Sequence, residues 1–138
     1  METGAEVVLR LHVEIGEPKF VGETGNGILT IIPITGGAFT GKELSGRVLP
    51  GGADWNLRLP DGSAHLHARY WVETCDGAVI AVDNEGTAQA GAPGASVPTT
   101  PRFTCDRYGK YAWLMEGSFS ACVSGSGENA VDVVVRRA

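Results

Sequence analysis

The sequence predicts an all-β protein, a closed antiparallel β-barrel of about eight strands, and three observations point there. The stretch from Val7 to Ile15 alternates Val7, Leu9, Leu11, Val13 and Ile15 with Val8, Arg10, His12 and Glu14, the two-residue period of a half-buried strand. Further apolar runs recur at short spacing between Gly-rich and Asp-Gly turns, with almost no helical pattern among them. A chain of 138 residues has the length of one domain, so residues 1–138 read as a single barrel domain whose closure removes unpaired edges and encloses a lumen.

The elements follow in order. After the first strand, GETGNG (22–27) is a turn, and GILTIIPIT (27–35) is a second β run expected to end at Thr35-Gly36-Gly37. A third covers Glu43 to Leu49, with Pro50-Gly51-Gly52 as its stop. Trp55 to Pro60 then runs into Asp61-Gly62, and His65 to Thr74 runs into Asp76-Gly77, two hairpin signals around one long strand. Ala78 to Asn84 continues the meander. Thr87 to Thr100 is small, Pro- and Gly-rich and without period, a mobile loop over the sheet or a barrel mouth. Pro101–Cys105, Tyr111–Val123 and Ala130–Arg137 supply the last strands.

Composition excludes several function classes. A net charge of −5 and an ordinary apolar fraction argue against a nucleic-acid footprint and against disorder. The N-terminus lacks the basic start and apolar core of a secretory signal, and no run is long enough to span a bilayer. The expectation is a cytoplasmic protein without a membrane partner. Cys75, Cys105 and Cys122 form no C-x-x-C pair and read as reduced, mostly structural thiols.

Chemistry concentrates on the strand from His65 to Thr74. Alternation puts His65, His67, Arg69, Trp71 and Glu73 on one face, and Leu66, Ala68, Tyr70, Val72 and Thr74 on the other. The first row could line a pocket, with an imidazole titrating near neutrality and a guanidinium holding an oxyanion. Equally, that row could face water while the Leu66 row faces the core. His-x-His also resembles the first half of a cupin metal motif. No His follows His67, however, so Glu73 or Asp54 would have to complete a metal site, and none is expected. ITGGAFTGK lacks the spacing of a phosphate loop, and no serine sits in a G-x-S-x-G context.

In GGADW (51–55) the two glycines permit a sharp turn, after which Asp54 and Trp55 start the next strand near the barrel rim on opposite faces. Trp55 is the more natural wall for an apolar ligand, and Asp54 a rim acid or a turn-fixing acceptor. Asn84 and Glu85 fall where a strand meets a turn, from which Glu85 could reach a barrel mouth. His12 lies on the polar face of its strand and reads as solvated.

Taken together, Pro33-Ile34-Thr35-Gly36-Gly37, Gly46-x-Val48-Leu49-Pro50-Gly51-Gly52-Ala53-Asp54-Trp55, Asp61-Gly62, Ala68-Arg69-Tyr70, Asp76-Gly77-Ala78, Asn84-Glu85-Gly86, Pro101-Arg102-Phe103 and Tyr111-x-Trp113-Leu114 resemble, in that order and over nearly the whole chain, the family catalogued as domain of unknown function 3237. The resemblance implies a closed barrel similar to that of allene oxide cyclase and the dirigent proteins. Those relatives hold a hydrophobic or phenolic small molecule and steer its cyclisation or coupling, without a tightly bound metal or nucleotide. Two positions depart from the family pattern: His67 stands where a carboxylate is common, and Met115 where Asn is common. A proton-transfer role for that carboxylate would pass to the imidazole.

The expected function is therefore an isomerase, cyclase or lyase without a cofactor, acting by proton transfer on a small apolar or aromatic carbonyl or phenol. His67, His65 and Asp54 are the candidate acids and bases, Arg69 the oxyanion partner, and Trp55, Tyr70, Trp71, Trp113 and Glu85 the candidate binding residues. A non-catalytic carrier of such a molecule and a metal-dependent His-x-His enzyme are the alternatives, and a structural module that forms a homo-oligomer is another, since barrels of this type often associate through outer faces.

Overall fold

The computed structural model describes residues 6–91 and 96–137. Among them are nine strands: β1 (Val7–Ile15), β2 (Lys19–Glu23), β3 (Ile28–Gly41), β4 (Ser45–Arg58), β5 (Ala64–Thr74), β6 (Val79–Ala88), β7 (Val97–Thr104), β8 (Phe119–Gly125) and β9 (Ala130–Arg137). All pairings are antiparallel. The order β1-β9-β8-β7-β6-β5-β4-β3 is closed by β1 against the second half of β3, and β2 extends the first half of β3 outside this ring of eight. The predicted closed barrel is thus the observed architecture.

Closure depends on glycine at the β1–β3 seam. Gly37 has φ +132°, and a Cβ there would sit 2.0 Å from the His12 carbonyl oxygen. Gly36 opposes Glu14 while Ile34 opposes Ile15, so one extra β3 residue is taken up in a bulge. The second β run therefore does not end at Gly36-Gly37; it bends there and continues to Gly41.

A second irregularity replaces an expected stop. Pro50-Gly51-Gly52 lies inside β4, where Leu49 to Ala53 covers the same length as Trp71 to Arg69 on β5, leaving two extra residues on β4. Each glycine receives an aromatic from β5. A Cβ on Gly51 would meet the Trp71 ring at 2.6 Å, and one on Gly52 would meet Tyr70 Cβ at 2.5 Å. Since Tyr70 and Trp71 point to opposite sides of the sheet, the pair GG clears both faces of one bulge.

The hairpins at Asp61-Gly62 and Asp76-Gly77 form as predicted, with Gly62 at φ +90° and Gly77 at φ +91°. Asp61 accepts from the Ser63 backbone N–H and hydroxyl at 2.9 and 2.6 Å. Strand β6 continues to Ala88 and β7 begins at Val97, so the long loop is shorter than expected at both ends. Its residues 92–95 lie outside the described residues. Tyr111–Val123 is not one strand: Ala112–Met115 forms a 3₁₀ turn before β8.

One end of the barrel is packed solid by the buried cluster of Leu11, Phe39, Leu44, Val48, Val72, Ile80, Phe103, Tyr111, Leu114, Phe119 and Val135. Phe119 meets Phe103 edge-on with ring centroids at 5.5 Å, and Trp113 packs on Phe119 at 6.3 Å. Asp76 ties this plug to the β5–β6 hairpin, accepting hydrogen bonds from Thr74 and Tyr111 and pairing with Lys110 at 3.0 Å. These partners hold its carboxyl well below the usual range, the Thr74 hydroxyl first. The opposite end is hollow.

All three cysteines are free, but Cys75 and Cys122 are exposed and only Cys105 is half-buried, so two of them do not serve as the expected core hydrophobes. Among the described residues no helix is long and apolar enough to cross a membrane.

Candidate functional site

The hollow end is a cavity of about 360 Å³. Val13, Ile15, Ile32, Ile34, Val97, Val123, Val131 and Val133 give it an apolar wall, with Leu66, Ala68 and Tyr70 contributed by β5. Among the described residues five polar side chains reach it besides Tyr70: Asp54, Asn56, Asn84, Thr99 and Ser124. A chamber lined mainly by apolar groups with a few convergent polar ones is the usual form of a small-molecule site.

The orientation of β5 decides which residues enter. Leu66, Ala68 and Tyr70 line the lumen and Val72 continues into the buried core, so the other row faces outward. The expectation that His67 and Arg69 project into the lumen is therefore corrected, and His65 and Trp71 go with them. The physical reason is ordinary: the barrel gains more by burying Leu66, Tyr70 and Val72 than by desolvating two imidazoles and a guanidinium. Outside, His65 pairs with Glu85 at 2.8 Å, His67 with Asp83 at 3.1 Å, and Arg69 with Asp83 at 3.3 Å. Glu85 lies mid-strand on this outer wall, not at the mouth. Neither carboxylate expected to complete a His-x-His metal set takes that place: Glu73 pairs with Arg47 at 2.9 Å, and Asp54 is inside. The groups that could hold a cation here are His67, Asp83 and Glu85, whose ligand atoms lie within 4.8 Å of one another.

GGADW also reverses its expected roles. Trp55 is 43% exposed on the outer wall, whereas Asp54 points inward and lines the cavity. Register fixes this, because Asp54 lies opposite Ala68 and Trp55 opposite His67. Asp54 Oδ1 accepts the His67 backbone N–H at 3.0 Å. Burial pushes the Asp54 carboxyl above the usual carboxylate range, opposed in part by that hydrogen bond and by the nearby His67 and His65 rings.

Tyr70 is the one predicted aromatic binding residue that reaches the lumen. It is 5% exposed, and burial alone pushes its phenol far above the ordinary value, so the hydroxyl keeps its proton and remains a hydrogen-bond donor. Tyr70 lies two positions beyond Ala68, hence diagonal to Asp54, a separation of roughly 7–8 Å that a long side chain can span. Trp113 instead packs in the plug under Arg137, whose guanidinium carbon is 5.2 Å from its ring centre.

Reasoning from the sequence missed Asn56, Asn84, Thr99 and Ser124. Asn84 continues the inward alternation Ile80, Val82 on β6, a signal that the neighbouring Asp83 and Glu85 obscured. Asn84 and Glu85 sit in the middle of β6, not at a turn.

The fold recurs in other proteins. A UPF0311 protein of Bradyrhizobium diazoefficiens is 37% identical over 138 residues, covering 90% of each chain. The crystal structure of a conserved protein of unknown function from Rhodopseudomonas palustris matches with a TM-score of 0.87 at 33% identity, covering 99% of both chains. An enzyme from Penicillium herquei shares the fold at a TM-score of 0.74 and 22% identity, over 96% of this chain and 93% of its own. The model for the family described as protein of unknown function (DUF3237) matches residues 4–137, and the chain belongs to that family.

Proposed function

We propose that this barrel is a proton-transfer enzyme whose reacting chamber is the lumen and whose acid–base group is Asp54. The observation that carries the reading is the placement of Asp54, the one carboxyl among the described residues that line this mainly apolar cavity, with its pKa raised by burial, the condition under which a carboxylate becomes an effective base toward a weak carbon or phenol acid. The substrate class is a small, largely apolar or aromatic metabolite carrying a carbonyl or phenol. In the step proposed, the ionised Asp54 takes a proton from a carbon beside the carbonyl, or from the phenol oxygen. The electron pair delocalises toward a carbonyl oxygen or into a phenol ring, and the Asp54 carboxyl, having exchanged its proton with solvent, returns a proton at another carbon. Isomerisation or cyclisation results, without net gain or loss of protons. Where a leaving group departs from the β carbon with its bonding pair, it takes the proton held by Asp54, and the outcome is elimination.

Tyr70 suits the second role. Its protonated hydroxyl, on the lumen wall diagonal to Asp54, is the donor for the oxygen on which charge develops. The description of the Penicillium herquei protein as an enzyme agrees with a barrel of this shape supporting catalysis, although fold alone does not assign chemistry.

Incubation of phenolic and enone compounds in deuterated water, followed by NMR, tests the reading. Solvent deuterium is expected to enter the substrate with the native protein. Asp54→Asn should slow this by about 10²–10⁴-fold, the usual contribution of a positioned acid–base group. Exchange that persists in Asp54→Asn would exclude Asp54 as the acid–base group. Tight binding without any exchange would make the barrel a carrier.

A further inference from the structure

Two polar groups in the lumen wall have no hydrogen-bond partner among the described residues. Asn84 and Thr99 are 5% and 7% exposed, both line the cavity, and neither Asn84 Oδ1 nor Thr99 Oγ1 finds a partner among the described residues. Their surroundings explain why. Across the sheet, Asn84 is flanked by Ala68 and Pro101, and Thr99 by Gly86 and Ala121. Along their own strands the same-face neighbours are Val82 and Gly86 for Asn84, and Val97 and Pro101 for Thr99. None of these side chains can hydrogen-bond to them. Buried polar groups are nearly always satisfied, and leaving one bare is costly. Two together, on diagonal positions of adjacent strands, point to something that occupies the lumen.

We propose that Asn84 and Thr99 are the polar anchor of the chamber and that they select ligands carrying a hydroxyl group. The inference rests on the reading of the lumen as a small-molecule chamber. A hydroxyl donates to Asn84 Oδ1 and accepts from the Thr99 hydroxyl, so it satisfies both groups at once. A carbonyl satisfies Thr99 and leaves Asn84 Oδ1 bare. Ala68 lies directly between Asp54 and Asn84 in the register, so the anchor and the acid–base group are two strand spacings apart, roughly 9–10 Å between backbones. A ligand held by its hydroxyl at the β6–β7 wall thus lies over Ala68 and presents its far side to Asp54. The substrate class narrows from any apolar carbonyl or phenol to one whose reacting position is remote from an anchoring hydroxyl.

Calorimetry with a matched pair of probes, 2-naphthol and 2-methylnaphthalene, tests this, since the pair differs by exchange of the hydroxyl for a methyl group of similar size. The ratio of their affinities should favour 2-naphthol in the native protein and fall by at least roughly tenfold in Asn84→Leu and in Thr99→Val, because a site built around a hydroxyl discriminates strongly against its absence. Thr99→Ser should keep the preference. The melting temperatures of the ligand-free Leu and Val variants should be unchanged or higher, because each removes an unsatisfied buried group. A preference that survives both substitutions overturns the proposal. So do lower melting temperatures with the preference intact, which would mark a resident structural water. A preference lost in Asp54→Asn instead would place the hydroxyl at Asp54, overturning the anchor while leaving the chamber standing. Failure of both probes to bind would overturn the chamber reading and the anchor with it.

Discussion

Ala68→Leu distinguishes a ligand chamber from a packed core by the sign of its effect. Ala68 faces the cavity between Asp54 and Asn84, so the added leucine carbons enter space that is already present. Three further buried carbons at about 0.8 kcal/mol each would contribute about 2.4 kcal/mol. Contact with the polar Asn84 reduces this, and a net gain of about 1–2 kcal/mol is expected. In a filled interior the same substitution would force neighbours off their rotamers and cost about 1–3 kcal/mol. For a domain of this size each kcal/mol moves the melting temperature by roughly 3–5 °C. The expected result is a rise of roughly 3–10 °C by differential scanning calorimetry, together with at least roughly tenfold weaker binding of 2-naphthol, because the leucine occupies the path between the anchor and Asp54. A fall in melting temperature with unchanged 2-naphthol binding would refute the cavity as the ligand site.

Other outcomes follow from the same geometry. Burial raises the Asp54 pKa in the folded state, so the stability it contributes is fully present below the ordinary carboxylate pKa and is lost as pH rises through the raised value. Asp54→Asn, whose side-chain oxygen can still accept the His67 N–H, should match the native protein in thermal melts at low pH and exceed it near pH 8; equal melting temperatures at pH 8 would contradict the inward, desolvated placement. His67→Ala and Arg69→Ala act on the outer wall, where substitutions are usually worth within about 0.5 kcal/mol, so 2-naphthol affinity should change by no more than about twofold; a large loss would put those side chains back in the lumen. Gly37→Ala places a methyl 2.0 Å from the His12 carbonyl oxygen at φ +132°, and should destabilise the β1–β3 closure by more than the roughly 1 kcal/mol typical of single substitutions; denaturant melts with an unchanged midpoint would show that the seam can move aside.

The sequence was most legible where signals are local. Alternation from Val7 to Ile15 identifies β1, and Asp61-Gly62 and Asp76-Gly77 identify two hairpins, because the residues that make the structure are adjacent in the chain. Pro50-Gly51-Gly52 misleads because a turn and a bulge use the same glycines; what separates them is Tyr70 and Trp71, which reach the glycines only once β4 and β5 pair. The two faces of β5 are balanced in the same way, each with an aromatic, and the choice between them belongs to the whole barrel. That choice moved the candidate site from His67 and Arg69 to Asp54 and Tyr70. Asn84 and Thr99 were hidden differently. Asp83-Asn84-Glu85-Gly86 has the composition of a turn, and Thr99 lies in a Pro- and Thr-rich stretch, yet Gly86 and Thr99 face each other in regular pairing. Close backbone approach at Gly86, where a Cβ would lie 2.3 Å from the Pro98 carbonyl oxygen, accounts for the turn-like residue inside a strand.

The protonation of Asp54 tests most directly whether the chemistry lies inside the barrel. Carbon-13 NMR of protein labelled at aspartate carboxyls, titrated with and without 2-naphthol and assigned with Asp54→Asn, measures it. One resonance absent from the variant should titrate above the usual carboxylate range and shift again when the probe fills the lumen. An Asp54 resonance that titrates at or below the ordinary value and ignores the probe would contradict the claim that the chemistry lies inside the barrel.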